Sequence, residues 1–173
     1  MNTLEQLSFL LMFVPVTYVL GQGIQWVTPN DRNIPPHSWV AAGTKDKSED
    51  IFICVGQRQE SVVCGQTYRK IGANNCLISY DDRVWNVKSK NILTLPLWVP
   101  HIFDWVGGYT HGMVPPDSIE CGDMTYIGRF LNGTEVILGK VDSLNQAFFY
   151  ADKMTNKERY MKCGYEVLIR KDI

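Results

Sequence analysis

Residues 126–138 read YIGRFLNGTEVIL, and this stretch carries a strong local structural signal. Two runs rich in β-branched and aromatic residues flank Asn132-Gly133, a dipeptide typical of the two-residue loop of a β-hairpin. Because such a loop reverses the chain directly, the two runs are expected to pair with each other. The sequence therefore predicts a hairpin whose loop is Asn132-Gly133.

Similar short segments lie on both sides of this hairpin. Five segments are rich in β-branched or aromatic residues and are bounded by turn formers, namely 51–55, 77–80, 136–138, 148–150 and 165–169. Asp81-Asp82 follows one of them and is predicted to form a turn. No window after residue 21 shows sustained helical periodicity. The chain is therefore predicted to adopt an all-β, mainly antiparallel fold.

Part of the hairpin sequence recurs earlier in the chain. Residues 138–141 read LGKV, and residues 64–67 read CGQT. Arg129 lies 11 residues before Lys140 (140 − 129), and Val55 lies 11 residues before Gln66 (66 − 55). A repeat of this size indicates a duplicated supersecondary unit whose copies bury their apolar faces against each other.

A second pair of motifs extends the repeat. IPPHS at 34–38 resembles VPPDS at 114–118, and Trp26-Val27 precedes the first motif as Trp98-Val99 precedes the second. The two Trp-Val pairs lie 72 residues apart (98 − 26). We therefore expect two tandem, pseudo-symmetric repeats of short antiparallel strands, packed as one β-sandwich-like domain. Their predicted bounds are 22–97 for a degenerate first repeat and 98–173 for the second.

Residues 1–21 are predicted to be a secretion signal. The run from 7 to 20 is apolar apart from Ser8 and Thr17, and the small residue Gly21 suits a signal peptidase. Pro15 interrupts the run, which is shorter than the roughly 20 apolar residues of a membrane span. We therefore expect a secreted, extracellular protein with no membrane span after cleavage. The alternative is a buried N-terminal segment.

The charges of the chain are balanced. There are 17 Lys and Arg residues against 18 Asp and Glu residues, which gives a formal net charge of −1. No basic cluster interrupts this balance, and proteins that follow a nucleic-acid backbone need one. Nucleic acid is therefore not an expected partner.

Five cysteines follow the predicted signal: Cys54, Cys64, Cys76, Cys121 and Cys163. In an oxidising compartment some are expected to pair, and one must be left over because five is odd. Cys54 and Cys64 are placed so that they can face each other across a hairpin. The alternative is that the cysteines are small, buried apolar thiols.

The sequence offers no catalytic or cofactor-binding motif. His37, His101 and His111 are the only histidines, and none belongs to a recognised zinc or nucleophile pattern. His101 and His111 with Asp104 form only a weak metal-binding pattern. We therefore expect a protein that is not an enzyme and has no metal and no cofactor.

Two further features each allow two interpretations. Asn132-Gly133-Thr134 is an Asn-x-Thr sequon, so Asn132 is a candidate glycosylation site in a secreted protein as well as a turn residue. Trp105 lies beside Gly107-Gly108, where its ring can stack on a sugar or pack in the core. Packing is the more usual role of a large aromatic side chain.

The motifs of the second repeat resemble, in order and spacing, those of the DM-9 repeat family. They are WV at 98–99, VPPDS at 114–118, YIGR at 126–129, GKV at 139–141 and YEVL at 165–168. The resemblance covers essentially the whole chain after the predicted signal. Members are small all-β proteins, and some are mannose-binding lectins of invertebrate innate immunity. In natterin-like fish proteins, a related module accompanies a pore-forming domain.

The resemblance implies a sugar site in the second repeat. Lys140 matches the lysine that contacts mannose in those lectins, and Asp123 is the best match to their aspartate. The first repeat has Gln66 and Val55 where the second has Lys140 and Arg129, so only one site is expected.

The function implied by the resemblance is a secreted module that recognises mannose-type glycans, in a pattern-recognition role. We expect Lys140→Ala to fold normally and to lose glycan binding. The alternative is a degenerate interaction module that binds a protein partner or itself. Homo-oligomers are a further expectation, because a single weak sugar site gains avidity only through multivalency.

Overall fold

The structure is a computed structural model that describes residues 25–28, 40–43, 49–68, 75–94, 102–110, 113–122 and 124–171. These residues form thirteen β-strands and no helix, which confirms the predicted all-β fold. The strands of the first half are β1 (Gln25–Val27), β2 (Val40–Gly43), β3 (Asp50–Arg58), β4 (Ser61–Tyr68), β5 (Asn75–Tyr80) and β6 (Arg83–Thr94). Those of the second half are β7 (Phe103–Thr110), β8 (Glu120–Gly122), β9 (Thr125–Asn132), β10 (Glu135–Asp142), β11 (Ala147–Asp152), β12 (Lys157–Met161) and β13 (Cys163–Arg170).

Antiparallel pairing joins the strands in the order β2-β3-β4-β5-β6-β12-β11-β10-β9-β13-β7. In addition, β6 pairs with β1 and β3, and β8 pairs with β9. Among the described residues, the two halves pair only at Arg83 and Lys157, which join β6 to β12. Most of the contact between the halves is therefore made by sheet faces rather than by a shared ladder.

A central core lies between the two halves. Its buried residues come from both halves: Ala41, Ile51, Ile53, Val55, Cys64, Leu93, Ile119, Cys121, Ile127, Leu138 and Leu168. Each half also has a core of its own. These consist of Phe52, Cys54, Val63, Cys76, Ile78 and Ile92 in the first half, and of Val141, Phe148, Tyr165 and Val167 in the second. Full burial of one such side chain contributes about 1.5–3 kcal/mol to the stability of the fold. The central core therefore stabilises the packing of the two halves, and the other two cores stabilise each half.

The predicted hairpin is present, but its loop is one residue further along. Asn132 pairs with Glu135, so the loop consists of Gly133 and Thr134. Gly133 has a φ of +65°, the left-handed value that the first position of a type II′ turn requires. The prediction of an Asn132-Gly133 loop is therefore wrong by one residue, because Gly occupies the first position of the loop rather than the second.

The other local predictions agree with the structure. All five predicted strand segments lie within strands, namely in β3, β5, β10, β11 and β13. Asp81 and Asp82 form the loop between the paired residues Tyr80 and Arg83, and both have positive φ, at 53° and 58°. Positive φ at both loop positions is the pattern of a type I′ turn, for which Asp is one of the tolerated residues.

The strands also show how the halves correspond. Gly65 in β4 and Gly139 in β10 occupy equivalent places, because the next strand of each half passes very close to them. A Cβ atom would lie 2.2 Å from a carbonyl oxygen of β5 at Gly65 and 2.1 Å from one of β11 at Gly139. The following residues, Gln66 and Lys140, are therefore counterparts, in agreement with the alignment of the two motifs.

The counterpart of Trp26 differs from the prediction. Trp26 pairs with Leu93 in the last strand of the first half, and Trp105 pairs with Leu168 in the last strand of the second. Leu93 and Leu168 are both fully buried in the central core. Trp105, and not Trp98, is therefore the equivalent of Trp26. Trp98-Val99 and Trp105-Val106 lie only seven residues apart (105 − 98), so the sequence motif alone does not distinguish them.

Four of the five cysteines form disulfides. Cys54 is bonded to Cys76 within the first half, and Cys64 is bonded to Cys121 across the two halves. Cys163 is free and exposed, as expected for an odd number of cysteines. The Cys64–Cys121 bond is a covalent link between the halves, within the central core.

The expected facing of Cys54 and Cys64 is wrong. Cys64 lies opposite Val55, so Cys54 is one position out of register with it. Because successive side chains of a strand point to opposite faces, Cys54 enters the core of the first half and Cys64 enters the central core. The two sulfur atoms are therefore on opposite faces of the same sheet.

The close approach of β11 to Gly139 gives a stability prediction. We expect Gly139→Ala to lower the free energy of unfolding by about 1–3 kcal/mol or more, because the new Cβ would overlap the Phe149 carbonyl oxygen, which is backbone and cannot turn away. Gly107→Ala is the matched control, because its Cβ would come no closer than 3.4 Å, to the flexible side chain of Glu166. Urea denaturation of both variants measures the difference. Equal stability of the two variants would contradict the proposed close approach.

Several predictions fall on the N-terminal and connecting segments. The predicted signal, residues 1–21, lies outside the described residues, as do Trp98-Val99, Asp123 and all three histidines. Within the part of the chain that the structure describes, no helix has the length and hydropathy needed to cross a membrane.

Candidate functional site

Lys140 extends from β10 of the second half toward β5 of the first. Its ammonium group donates a hydrogen bond to the carbonyl oxygen of Ser79, with Nζ and O 3.1 Å apart. The residue is only 8% exposed. The lysine is thus a buried cation between the halves rather than an exposed surface charge, so Lys140→Ala is expected to be destabilised as well as impaired in binding.

Glu158 of β12 provides the counter-charge. Its Oε1 atom lies 3.2 Å from Nζ of Lys140, and its side chain is only 9% exposed. Its Oε2 atom accepts a hydrogen bond from the backbone N–H of Asp82, at 3.2 Å. Oε1 is close to the ammonium, yet it accepts no well-oriented hydrogen bond from any described residue. A buried carboxylate oxygen therefore has unused hydrogen-bonding capacity in this site.

Aromatic rings surround the ion pair. Nζ of Lys140 lies 5.6 Å from the ring centroid of Tyr80 and 5.4 Å from that of Phe149, within the range of cation–π attraction. Phe149 in turn contacts Tyr160, with centroids 5.9 Å apart, and Tyr160 is 64% exposed. The aromatic side of the site therefore leads from the buried ammonium to the surface.

The site, called the Lys140 site below, consists of Lys140, Glu158, Ser79, Tyr80 and Phe149. Both halves contribute to it, so it forms only when the halves are packed together. Its chemistry is a cation with further donor capacity, an acceptor oxygen and flanking aromatic faces. Such a set suits a neutral ligand that carries both hydroxyl donors and hydroxyl acceptors.

Asp123, the other expected sugar contact, lies outside the described residues. Among the described residues, the carboxylate beside Lys140 is that of Glu158, which the sequence analysis did not identify. No local motif marks Glu158, because it is 18 residues from Lys140 (158 − 140) and on a different strand. Ser79 is further away, at 61 residues.

The counterpart position in the first half has a different environment. Gln66 is buried and donates from Nε2 to the hydroxyl of Tyr68 at 2.8 Å, while its Oε1 accepts from the backbone N–H of Leu138 at 3.3 Å. The amide thus links the halves without a charge. Lys153, from the second half, makes contact with the same Tyr68 hydroxyl.

Trp105 packs against the central core, where Arg129 covers its ring. The guanidinium carbon of Arg129 lies 4.4 Å from the ring centroid, and its Nε atom forms an ion pair with Glu166. Of the two interpretations of Trp105, the structure agrees with packing. Arg129 covers the tryptophan and forms an ion pair with Glu166, so neither residue belongs to the Lys140 site.

The remaining candidates are placed as follows. Asn132 is exposed beside the hairpin loop, and its glycosylation stays a prediction. Asp104 forms an ion pair with Lys171 at 2.8 Å, and this contact lowers the pKa of the Asp104 carboxyl below its usual value. Among the described residues, no three His, Cys, Asp or Glu side chains are grouped so that they could hold a metal.

Comparison with known proteins gives a fold relationship. No protein-family model matches the chain, and no curated protein matches it. The crystal structure of the nematode sperm cell motility protein MFP2B is similar, with a TM-score of 0.62 at 10% sequence identity. The match covers 86% of this chain and 44% of that protein, so the chain spans less than half of its length. At this identity the similarity establishes a shared fold.

Proposed function

We propose that this protein is a secreted carbohydrate-recognition module of the DM-9 type, which binds mannose-type glycans at the Lys140 site. The observation that carries the proposal is the ion pair of Lys140 and Glu158, in which a buried carboxylate oxygen accepts no hydrogen bond from any described residue. A pattern-recognition role in innate immunity is part of this proposal, and it rests on the family resemblance.

The chemistry of vicinal hydroxyl groups fits this pair. Oε1 of Glu158 has no contact with solvent, so a hexose reaches it only when the flanking rings of Tyr80 and Phe149 move aside. One hydroxyl then donates to Oε1, and the oxygen of its neighbour accepts from the ammonium of Lys140. A lysine ammonium has three donors, and Ser79 uses only one of them. Hydrogen bonds to charged groups contribute about 1.5–3 kcal/mol each, which is enough for a weak, specific sugar site.

The disulfides support the secreted part of the proposal. Cys54–Cys76 and Cys64–Cys121 require an oxidising environment to form and persist. This condition is met outside the cell and in the secretory pathway. The predicted signal at 1–21 would deliver the chain there.

Affinity chromatography on immobilised mannan tests the sugar site. We expect the wild-type protein to be retained and to elute with free mannose. The variant Lys140→Met/Glu158→Gln is expected to flow through, because it removes the donor cation and the acceptor charge together. The double change is preferable to a single one, since it leaves no unpaired charge in the buried site.

Lys162→Met is the matched control, because Lys162 is an exposed lysine in the turn between β12 and β13. It is expected to be retained like the wild type. Circular dichroism establishes that each variant is folded before its binding is compared. Flow-through of folded wild-type protein, or equal retention of the wild type and the double variant, would refute the proposal.

A second candidate function is an interaction module that has lost sugar binding. It is favoured by the shared fold with a nematode protein that is named for sperm cell motility, and by the burial of Lys140. In that case the ion pair only fastens the two halves to each other. Failure of the wild type to bind mannan, together with self-association or capture of a protein partner, would favour this candidate.

A further inference from the structure

A second polar cluster joins the two halves around Tyr68, at the end of β4. The Tyr68 hydroxyl accepts a hydrogen bond from Nε2 of Gln66, with 2.8 Å between the two atoms. It is also in contact with Nζ of Lys153, and that ammonium lies 3.7 Å from the centroid of the tyrosine ring. Gln66 and Tyr68 belong to the first half and Lys153 belongs to the second. We call these three residues the Tyr68 site.

Lys153 restores the charge that the first repeat lacks. Gln66 is the counterpart of Lys140, and its neutral amide cannot replace an ammonium. In the Tyr68 site the ammonium comes instead from the turn after β11, which the repeat alignment does not connect with Gln66. The two sites therefore share a lysine ammonium beside a tyrosine ring, with the tyrosine on the first half and the lysine on the second.

The Tyr68 hydroxyl can act as a donor. Gln66 and Lys153 both donate to its oxygen, which leaves its own proton for an acceptor. Burial raises the pKa of Tyr68 well above its usual value, and the carboxylates of Glu135 and Glu49 raise it further. The phenol therefore keeps its proton at neutral pH and can donate it to a ligand oxygen.

The charges around the Tyr68 site select the class of ligand. Burial lowers the pKa of Lys153, and the nearby carboxylates of Glu135 and Glu49 oppose this shift by favouring the charged ammonium. A neutral polyhydroxyl ligand is favoured, because its hydroxyl groups both donate and accept.

The turn that carries Lys153 is held in place by Asp152. The Asp152 carboxylate accepts hydrogen bonds from the backbone N–H groups of Met154 and Thr155 and from the Thr155 hydroxyl, at 3.0, 3.3 and 2.7 Å. Arg159 adds a contact from β12, at 3.3 Å. These hydrogen bonds fix the residues that follow Lys153. The lysine side chain that contacts Tyr68 therefore starts from a backbone with little conformational freedom.

From this arrangement we propose that the Tyr68 site is a second saccharide-binding site, in which Tyr68 donates to a sugar hydroxyl and the ammonium of Lys153 donates to its neighbour. The proposal rests on the proposed function, because it takes the same ligand class. It makes the chain bivalent, with two sites at the junction between the halves. Two linked weak sites gain avidity for a branched or polymeric glycan that neither site has alone.

An NMR titration of the ¹⁵N-labelled protein with methyl α-mannoside tests both sites separately. We expect two groups of amides to shift in the wild type: those near Gln66 and Met154, and those near Ser79 and Phe149. Lys153→Met should weaken the response of the first group at least tenfold and leave the second group unchanged. Tyr68→Phe, which keeps the ring and removes the hydroxyl, should have the same selective effect. Lys162→Met should change neither group.

The outcomes separate the two proposals. Shifts confined to the amides near Ser79 and Phe149 would overturn the second site and leave the proposed function intact. Shifts confined to those near Gln66 and Met154 would support the second site and refute binding at Lys140. No shift in either group would refute both. Loss of both groups of shifts in Lys153→Met, with the fold intact by its amide spectrum, would also overturn the assignment of separate sites.

Discussion

Replacing Cys64 and Cys121 together with alanine is expected to lower the free energy of unfolding by about 4 kcal/mol. The disulfide joins residues 57 positions apart, and the loss of entropy that such a crosslink imposes on the unfolded chain corresponds to roughly this value. Both sulfur atoms also belong to the central core, so their removal leaves a small cavity between the halves. Urea denaturation without reductant measures the change.

Cys163→Ala is the control for this prediction. Cys163 is free and exposed, so its replacement should change the stability by less than about 0.5 kcal/mol. The Cys54→Ala/Cys76→Ala variant should lose somewhat less than the first variant, about 3 kcal/mol, because its loop is shorter at 22 residues. Equal stability of Cys64→Ala/Cys121→Ala and the wild type would mean that this bond does not constrain the halves.

Lys140→Met alone is expected to destabilise the protein by about 3–5 kcal/mol, the usual cost of breaking a buried ion pair. The change leaves the carboxylate of Glu158, which is 9% exposed, without its counter-charge. It also removes the hydrogen bond to Ser79. Lys140→Met/Glu158→Gln should recover much of this loss, since no buried charge is left unpaired.

The four proteins of this comparison form a double-mutant cycle: wild type, Lys140→Met, Glu158→Gln and the double variant. We expect the stability losses of the two single variants to add up to more than the loss of the double variant, because the two residues are in direct contact. Denaturation midpoints of all four proteins give the coupling energy. Additive losses would show that Lys140 and Glu158 do not act as a pair.

The sequence alone predicts the strands well because their signals are local. Short runs of β-branched and aromatic residues bounded by turn formers are visible without any tertiary information. The register of the central hairpin is less well determined, because Asn132-Gly133 and Gly133-Thr134 are both acceptable loops. Glycine fits the left-handed position in either loop, and only the pairing of Asn132 with Glu135 decides between them.

The repeat was predicted correctly where its motif is distinctive and wrongly where the motif is short. Gly65-Gln66 and Gly139-Lys140 are tied to their places by the close passage of the next strand, which excludes any side chain larger than glycine. A Trp-Val pair has no such constraint. Trp98-Val99 and Trp105-Val106 are therefore indistinguishable in sequence, and only the pairing with Leu168 identifies the second as the repeat.

Most of the candidate site could not be found in the sequence. Lys140 was identified from a motif, but its partners Ser79 and Glu158 are brought to it by the packing of two halves. Lys153 likewise reaches Tyr68 from 85 residues away. Contacts of this kind depend on how two sheets face each other, and they have no signature in local spacing.

The most direct measurement of the central claim follows the side chain of Lys140 itself. With lysine ¹³C-labelled at Cε, the resonance of Lys140 is assigned by its absence in Lys140→Met/Glu158→Gln, and the wild type is titrated with methyl α-mannoside. Our account predicts a saturable shift of this resonance, with no change at the exposed Lys162. An unchanged Lys140 resonance at a sugar concentration that saturates mannan binding would contradict it.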